Sequence, residues 1–114
     1  MYNPKFQIYK DNVGGYRFRL KARNGEIIIH SSQGYVYKYQ CQDAVTSVKN
    51  NSPYDSRYSR NIATNGQYYF SLKTLDGKIL GMSEMYNSIQ GRDNGIESVK
   101  TNAPDAPVED LTIA

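Results

Sequence analysis

Residues 16–53, YRFRLKARNGEIIIHSSQGYVYKYQCQDAVTSVKNNSP, are written a second time, in altered form, at residues 68–104, YYFSLKTLDGKILGMSEMYNSIQGRDNGIESVKTNAP. With Tyr16 set on Tyr68 the offset is 52, and it drops to 51 after one extra residue near Gly34. Thirteen positions then match: Tyr16, Phe18, Leu20, Lys21, Gly25, Ile27, Ser31, Tyr35, Ser47, Val48, Lys49, Asn51 and Pro53. An internal duplication sets the architecture before any single element is read. It also sorts residues, because those present in only one copy are not what holds the fold together.

Within the first copy, Tyr16 to Ala22 alternates, with Tyr16, Phe18, Leu20 and Ala22 on one side and Arg17, Arg19 and Lys21 on the other. Asn24-Gly25 predicts a two-residue type I′ hairpin, which needs positive φ at both positions. That turn sets Ala22 opposite Ile27, Lys21 opposite Ile28, Leu20 opposite Ile29 and Arg19 opposite His30. Opposed residues share a face. The expected core face is therefore Phe18, Leu20, Ala22, Ile27, Ile29 and Ser31, and the expected outer face is Arg17, Arg19, Lys21, Ile28 and His30. In the second copy Asn65-Gly66 and Asp76-Gly77 are the hairpin turns, and Tyr68, Phe70 and Leu72 face inward.

A helix follows in each copy. Cys41, Ala44, Val45 and Val48 fall at i, i+3, i+4 and i+7, one apolar stripe. Ile89, Ile96 and Val99 are the expected counterpart, with Ser88 as N-cap. Gly95 aligns with Ala44, which suggests a close approach to the sheet. Further strands are expected at Lys5 to Lys10, Arg57 to Ile62 and, more weakly, Val108 to Ile113. The fold class is α+β: tandem duplicated β(3)-α-β units, residues 1–55 and 56–114, forming one compact domain. Its antiparallel sheet has a pseudo-twofold axis and one helix per repeat.

The bulk numbers suit such a domain. A chain of 114 residues buries about 65% of its unfolded surface and needs no staple. The single cysteine forbids an internal disulfide and fits a reducing, cytoplasmic compartment. The first residues have no apolar signal core, and no run suits a membrane span, so no membrane association is expected. Net charge is +3, unevenly placed: residues 1–55 carry eight Lys/Arg against four acids, and residues 56–114 carry six against seven. The first copy is the basic one. Eleven tyrosines without tryptophan suit a tyrosine-rich sheet, or stacking platforms for bases and sugars.

Three segments carry a family resemblance: Phe18 to Ala22 leading into Asn24-Gly25-Glu26, Ser83-Glu84-Met85-Tyr86, and Asn94 to Lys100 leading into Asn102-Ala103-Pro104. The chain resembles the YegP-like family of small bacterial proteins, a family of unknown function. The resemblance implies two β(3)-α-β units sharing one sheet, here as a monomeric pseudo-dimer, and brings no established activity or site residues. The first copy departs from the pattern with one more residue in Ser31 to Tyr35 and no serine matching Ser88.

Candidates for chemistry are few. His30 is the only histidine and has no motif partner; Cys41 sits in the apolar stripe. A nucleophile needs an activating base, and one His with one Cys cannot build the usual zinc site. No phosphate-loop spacing is present. No catalytic residue, cofactor or metal is therefore expected, and Glu84, Asp93, Glu97, Glu109 and Asp110 read as solvated charges. The candidate binding residues are Arg17, Arg19 and Lys21, a cationic row about 14 Å long able to follow a phosphate backbone, with His30 beside it. Tyr35 and Tyr86, shared by both copies, either pack the strand-to-helix junction or flank a groove. The expected function is a small non-catalytic binding or scaffold module, its partner open between a protein and nucleic acid. Nucleic-acid binding through the basic strand face is the alternative, and an enzyme is the remote third.

Overall fold

A computed structural model describes residues 3–113; Met1, Tyr2 and Ala114, at the ends of the two expected repeats, lie outside the described residues. The elements run β1 (Lys5–Lys10), β2 (Tyr16–Lys21), β3 (Ile27–Ser31), α1 (Lys38–Asn51), β4 (Tyr58–Ile62), β5 (Tyr68–Lys73), β6 (Ile79–Ser83), α2 (Ile89–Asn102) and β7 (Val108–Asp110). A short 3₁₀ turn follows each helix, at Asp55–Arg57 and Ala103–Asp105. Among the described residues the strands form one sheet in the order β4-β5-β6-β3-β2-β1-β7. The two copies join at the centre, where β3 pairs antiparallel with β6 through Ile29–Ser83, His30–Met82 and Ser31–Gly81. The pseudo-twofold axis passes between His30 and Met82, equivalent positions in the duplication. β4 pairs with β5 at the outer edge of the second copy. β7 joins the far edge parallel to β1, so the otherwise antiparallel sheet is mixed.

One face is dry. Phe6, Phe18, Leu20, Ile29, Phe70 and Leu72 from the strands meet Cys41, Val45 and Val48 of α1 and Ile96 and Val99 of α2 in a single core. The duplication is visible in its details. Phe6 packs edge-on to Phe18 at 6.3 Å, and Tyr58 packs on Phe70 at 5.8 Å. The buried hydroxyl of Ser31 accepts from the Phe18 amide, and that of Ser83 from the Phe70 amide.

The expected hairpin turn is corrected. The Gly25 amide donates to Ala22 O and the Ala22 amide to Glu26 O, which closes a three-residue loop. Gly25 has φ +84°, and no non-glycine residue among those described has positive φ. This is a type I turn finished by a left-handed glycine, so Asn24 keeps ordinary backbone angles. Asp11, Ala63 and Thr74 start identical turns. The extra loop residue shifts the register between Leu20 and Lys21, so Lys21 faces Ile27 while Leu20 still faces Ile29. Ile28 is left as a bulge and turns inward, 5% exposed. Ile27 and Ile28 thereby exchange the faces expected for them. Leu80 repeats the inward bulge in the second copy.

Helix α1 buries the expected stripe, Cys41, Ala44, Val45 and Val48, whereas α2 revises its own. In α2, Ile89 is exposed, and the buried set is Arg92, Gly95, Ile96 and Val99. Arg92 stands where α1 has Cys41. Its guanidinium lies over the Tyr68 ring at 5.6 Å and ends on Asp93, so an aliphatic stem does the work of a small apolar residue. Ser88 caps α2 by accepting from the Gly91 amide. At the start of α1 the Gln40 side chain accepts from the Tyr37 amide instead.

Candidate functional site

With both helices on the core face, the other face of the sheet is open and largely polar. Backbone pairing aligns Ser59, Ser71, Met82, His30, Arg19, Gln7 and Glu109 in one row across all seven strands. Arg17 and Lys21 flank Arg19 on β2, as strand alternation requires. The expected positions of Arg17, Arg19, Lys21 and His30 on one open face are found, with Lys5 and Tyr9 of β1 beside them.

The cations are not a bare row. Glu109 accepts from the Gln7 amide group at 2.7 Å, and Gln7 in turn accepts from Arg19 Nε at 2.9 Å. The Arg19 guanidinium also stacks over the Tyr9 ring at 4.7 Å. Lys5 pairs with Glu109 at 3.0 Å. Gln7 and Lys5 hold the Glu109 carboxyl below its ordinary pKa, with help from the Lys21 charge. Arg17 is held separately, Nε on Asp11 Oδ2 at 2.7 Å. Asp11 Oδ1 accepts from the Val13 and Gly15 amides. Arg17 first, then these amides, lower the Asp11 pKa. Both arginines are thus oriented through Nε, and their Nη groups have no hydrogen-bond partner among the described residues.

Tyr35 and Tyr86 do not lie on this face. They pair with Tyr16 and Tyr68 where the sheet ends and pack, partly buried, against the core. The Tyr86 ring runs along α2: a Cβ at Gly95 would meet its hydroxyl at 2.5 Å and Phe70 at 3.1 Å. Gly95 is small because the tyrosine and the sheet press on it. Burial, then Glu84 and Glu26, raise the Tyr86 pKa. Tyr35 borders a cleft of about 310 Å³ between α1 and the β5–β6 turn, with Asp43 and Lys78 on its walls. It also borders a second cleft, of about 370 Å³, beside Arg17.

Other sequence candidates fall into structural roles. His30 Nε2 lies 3.6 Å from Glu84 at the surface. Cys41 is buried, and desolvation, with the Asp110 charge, pushes its thiol up to about 11, far from the thiolate a nucleophile needs. Of the acids expected to be solvated, Glu84, Glu97 and Glu109 stay exposed and Asp93 half-exposed while pairing with basic side chains, and Asp110 is the one drawn in. Asp110 takes Lys38 at 2.8 Å and Thr112, its pKa down to about 2. Asp93 meets Arg92 and Arg60, and Glu97 meets Lys100. Asp11 and Gln7 are the site residues that sequence reading missed. Their signal was faint: Asp11 is a carboxylate where the second copy has Ala63, and Gln7 a longer amide where it has Ser59. No three of His, Cys, Asp and Glu gather around a common point among the described residues.

The duplication and the relatives agree. The family profile of domain of unknown function DUF1508 matches the chain twice, at residues 11–59 and 63–110. The YegP protein of Escherichia coli is 41% identical over 107 residues, 94% of this chain and 96% of its own length. A UPF0339 protein of Bordetella pertussis is 50% identical over the same shares. The solution NMR structure of YegP, solved as a protein of unknown function, superposes with a TM-score of 0.91 at 38% identity, covering 100% of this chain and 97% of that one. Matched twice by that profile and 41% identical to YegP over 94% of its own length, the chain belongs to the DUF1508 family.

Proposed function

We propose that this chain is a non-catalytic binding module whose two repeats, 1–55 and 56–114, act as one domain through the open face of the sheet. The observation that carries the reading is the first-copy half of that face. There Gln7 and Asp11 each hold an arginine by Nε and leave its outer edge to a partner. Such preorientation lowers the ordering cost of a contact. The buried Cys41 argues against nucleophilic chemistry, and the His30–Glu84 pair stands at the surface. No helix among the described residues is long and apolar enough to cross a membrane. The reading places the module in the cytoplasm as a monomer, which light scattering at micromolar concentration tests; a mass of two chains refutes the monomer.

A protein partner is the first reading. Nucleic acid is the second, favoured by Arg17, Arg19 and Lys21 standing on one strand beside Tyr9. Titrating the amide-labelled protein with single-stranded and duplex oligonucleotides at low salt separates them. Shifts at Arg17, Arg19, Lys21 and His30 that fade with salt support nucleic acid. Three phosphate contacts to a single strand would give a log–log salt slope of about −2. Silence at low salt refutes that reading and leaves the protein partner, to be sought by pull-down with wild type and an Arg19→Gln variant. Equal capture by both refutes the open face as the contact surface.

A further inference from the structure

Where the β1–β2 turn meets the segment leading into α1, the first copy has built something the second copy lacks. A cleft of about 370 Å³ is lined by Asp11, Val13, Gly14, Gly15, Arg17, Gly34, Tyr35 and Val36. Its backbone is shaped around the Asp11 carboxylate: a Cβ on Gly15 or Gly34 would come within 2.9 or 2.8 Å of Oδ2. The residue inserted near Gly34 supplies this wall. The result of the fit is a guanidinium fixed by Nε with its end-on pair of N–H donors unpaired among the described residues.

The walls beside it are apolar and exposed, Val13 by 91% and Val36 by 74%. The pseudo-twofold gives the second copy the same backbone with Ala63, Asn65, Gln67, Tyr69 and Asn87 at the positions of Asp11, Val13, Gly15, Arg17 and Val36. There Gln67 simply bonds Asn65 and Asn87. Folding therefore does not require the valines, the arginine or the glycine room at this place.

We infer that the Arg17 cleft is a binding site for a small oxyanion, a carboxylate or phosphate monoester, carried on an apolar body. The anion takes the two Nη donors in the bidentate manner. Its apolar body covers Val13 and Val36, which water otherwise surrounds. Asp11 orients the arginine and partly cancels its charge, so the affinity is modest, about 1 mM or tighter. The site shares the Nη edge of Arg17 with the open-face reading but needs neither Arg19, Lys21 nor Tyr9.

The test is an amide and arginine-Nε NMR titration with acetate, inorganic phosphate, benzoate and phenyl phosphate. Benzoate or phenyl phosphate should shift Gly14, Gly15, Gly34 and Val36 and the Arg17 Nε signal saturably. Acetate and inorganic phosphate should bind more weakly. The tighter of the two aromatic anions identifies the headgroup. Arg17→Gln and Arg17→Lys should each weaken binding about tenfold, with a dispersed spectrum showing that they fold. Val36→Ser should weaken the aromatic anions but not inorganic phosphate. Lys21→Gln, which removes a cation of the open face only, should leave these titrations unchanged while weakening any oligonucleotide binding. No saturable shift in the cleft up to about 10 mM, or equal shifts in wild type and Arg17→Gln, overturns the assignment.

Discussion

Adding one methyl group at the pseudo-twofold axis should destabilise this protein, and removing a neighbour should restore part of the loss. Gly81 and Ile29 occupy equivalent positions of the duplication, yet one is the smallest residue and the other a fully buried core side chain. β3 and β6 pair antiparallel, so each residue has diagonal neighbours across the axis. A Cβ on Gly81 would lie 2.8 Å from Ile29 Cδ1, 2.9 Å from Ile29 Cγ1 and 2.9 Å from the His30 carbonyl oxygen. Carbon atoms prefer about 3.5–4.0 Å, so Gly81→Ala overpacks by roughly 1 Å on two sides. Overpacking of this kind costs about 1–3 kcal/mol. Replacing a strand glycine recovers about 0.5–1 kcal/mol of unfolded-state entropy. The net expectation is a loss of about 1–2 kcal/mol, near 4 °C in Tm per kcal/mol for a chain of this size. Ile29→Ala alone should cost about 2–5 kcal/mol through its cavity. In the double variant the methyl group added at position 81 enters that cavity, so the losses should fall short of additive by about 1 kcal/mol. Urea unfolding of the four proteins measures the cycle. A Gly81→Ala variant as stable as wild type, or additivity within about 0.5 kcal/mol, would mean the copies are not packed across this axis as described.

Ser83→Ala strands the buried Phe70 amide, whose acceptor at 2.9 Å is lost, and should cost about 1–3 kcal/mol. Ser31→Ala breaks the equivalent but longer 3.3 Å bond and should cost less, and urea midpoints that rank the other way would contradict this. Asp110, depressed to about 2 by Lys38 and Thr112, favours the folded state above its unfolded pKa and loses that contribution as pH falls toward 2. Stability should therefore decline between about pH 4 and pH 2, and Asp110→Asn should flatten the decline; an unchanged slope refutes the linkage. The Cys41 thiol, buried and raised to about 11, should resist Ellman's reagent in the native protein and react at once in denaturant. Rapid native reaction would show that α1 opens.

What the sequence determined is what repeats locally. Alternation in Tyr16 to Lys21, the i, i+3, i+4, i+7 stripe from Cys41 and the Ser88 cap each depend on residues a few positions apart. Such periods report which side of a strand or helix is buried. The duplication added the global plan, because two copies of a unit too small to bury its own core must share one. It also placed Arg17, Arg19, Lys21 and His30 on one face, since a shared face follows from alternation and one hairpin. The tertiary structure decided everything that depends on a partner distant in the chain or on a single backbone angle. One loop residue more than the expected turn moved Ile28 inward and Ile27 outward. β7 joined β1 from 102 positions away, as Phe6 meets Val108 and Gln7 meets Glu109, and brought Glu109 to brace Gln7 and Arg19. The Asp11–Arg17 pair needed the Gly15 and Gly34 backbones to meet, a closeness no local period encodes. Side-chain period fixes which face a residue shows, whereas the company it keeps there is fixed by which distant strands and turns the core draws together.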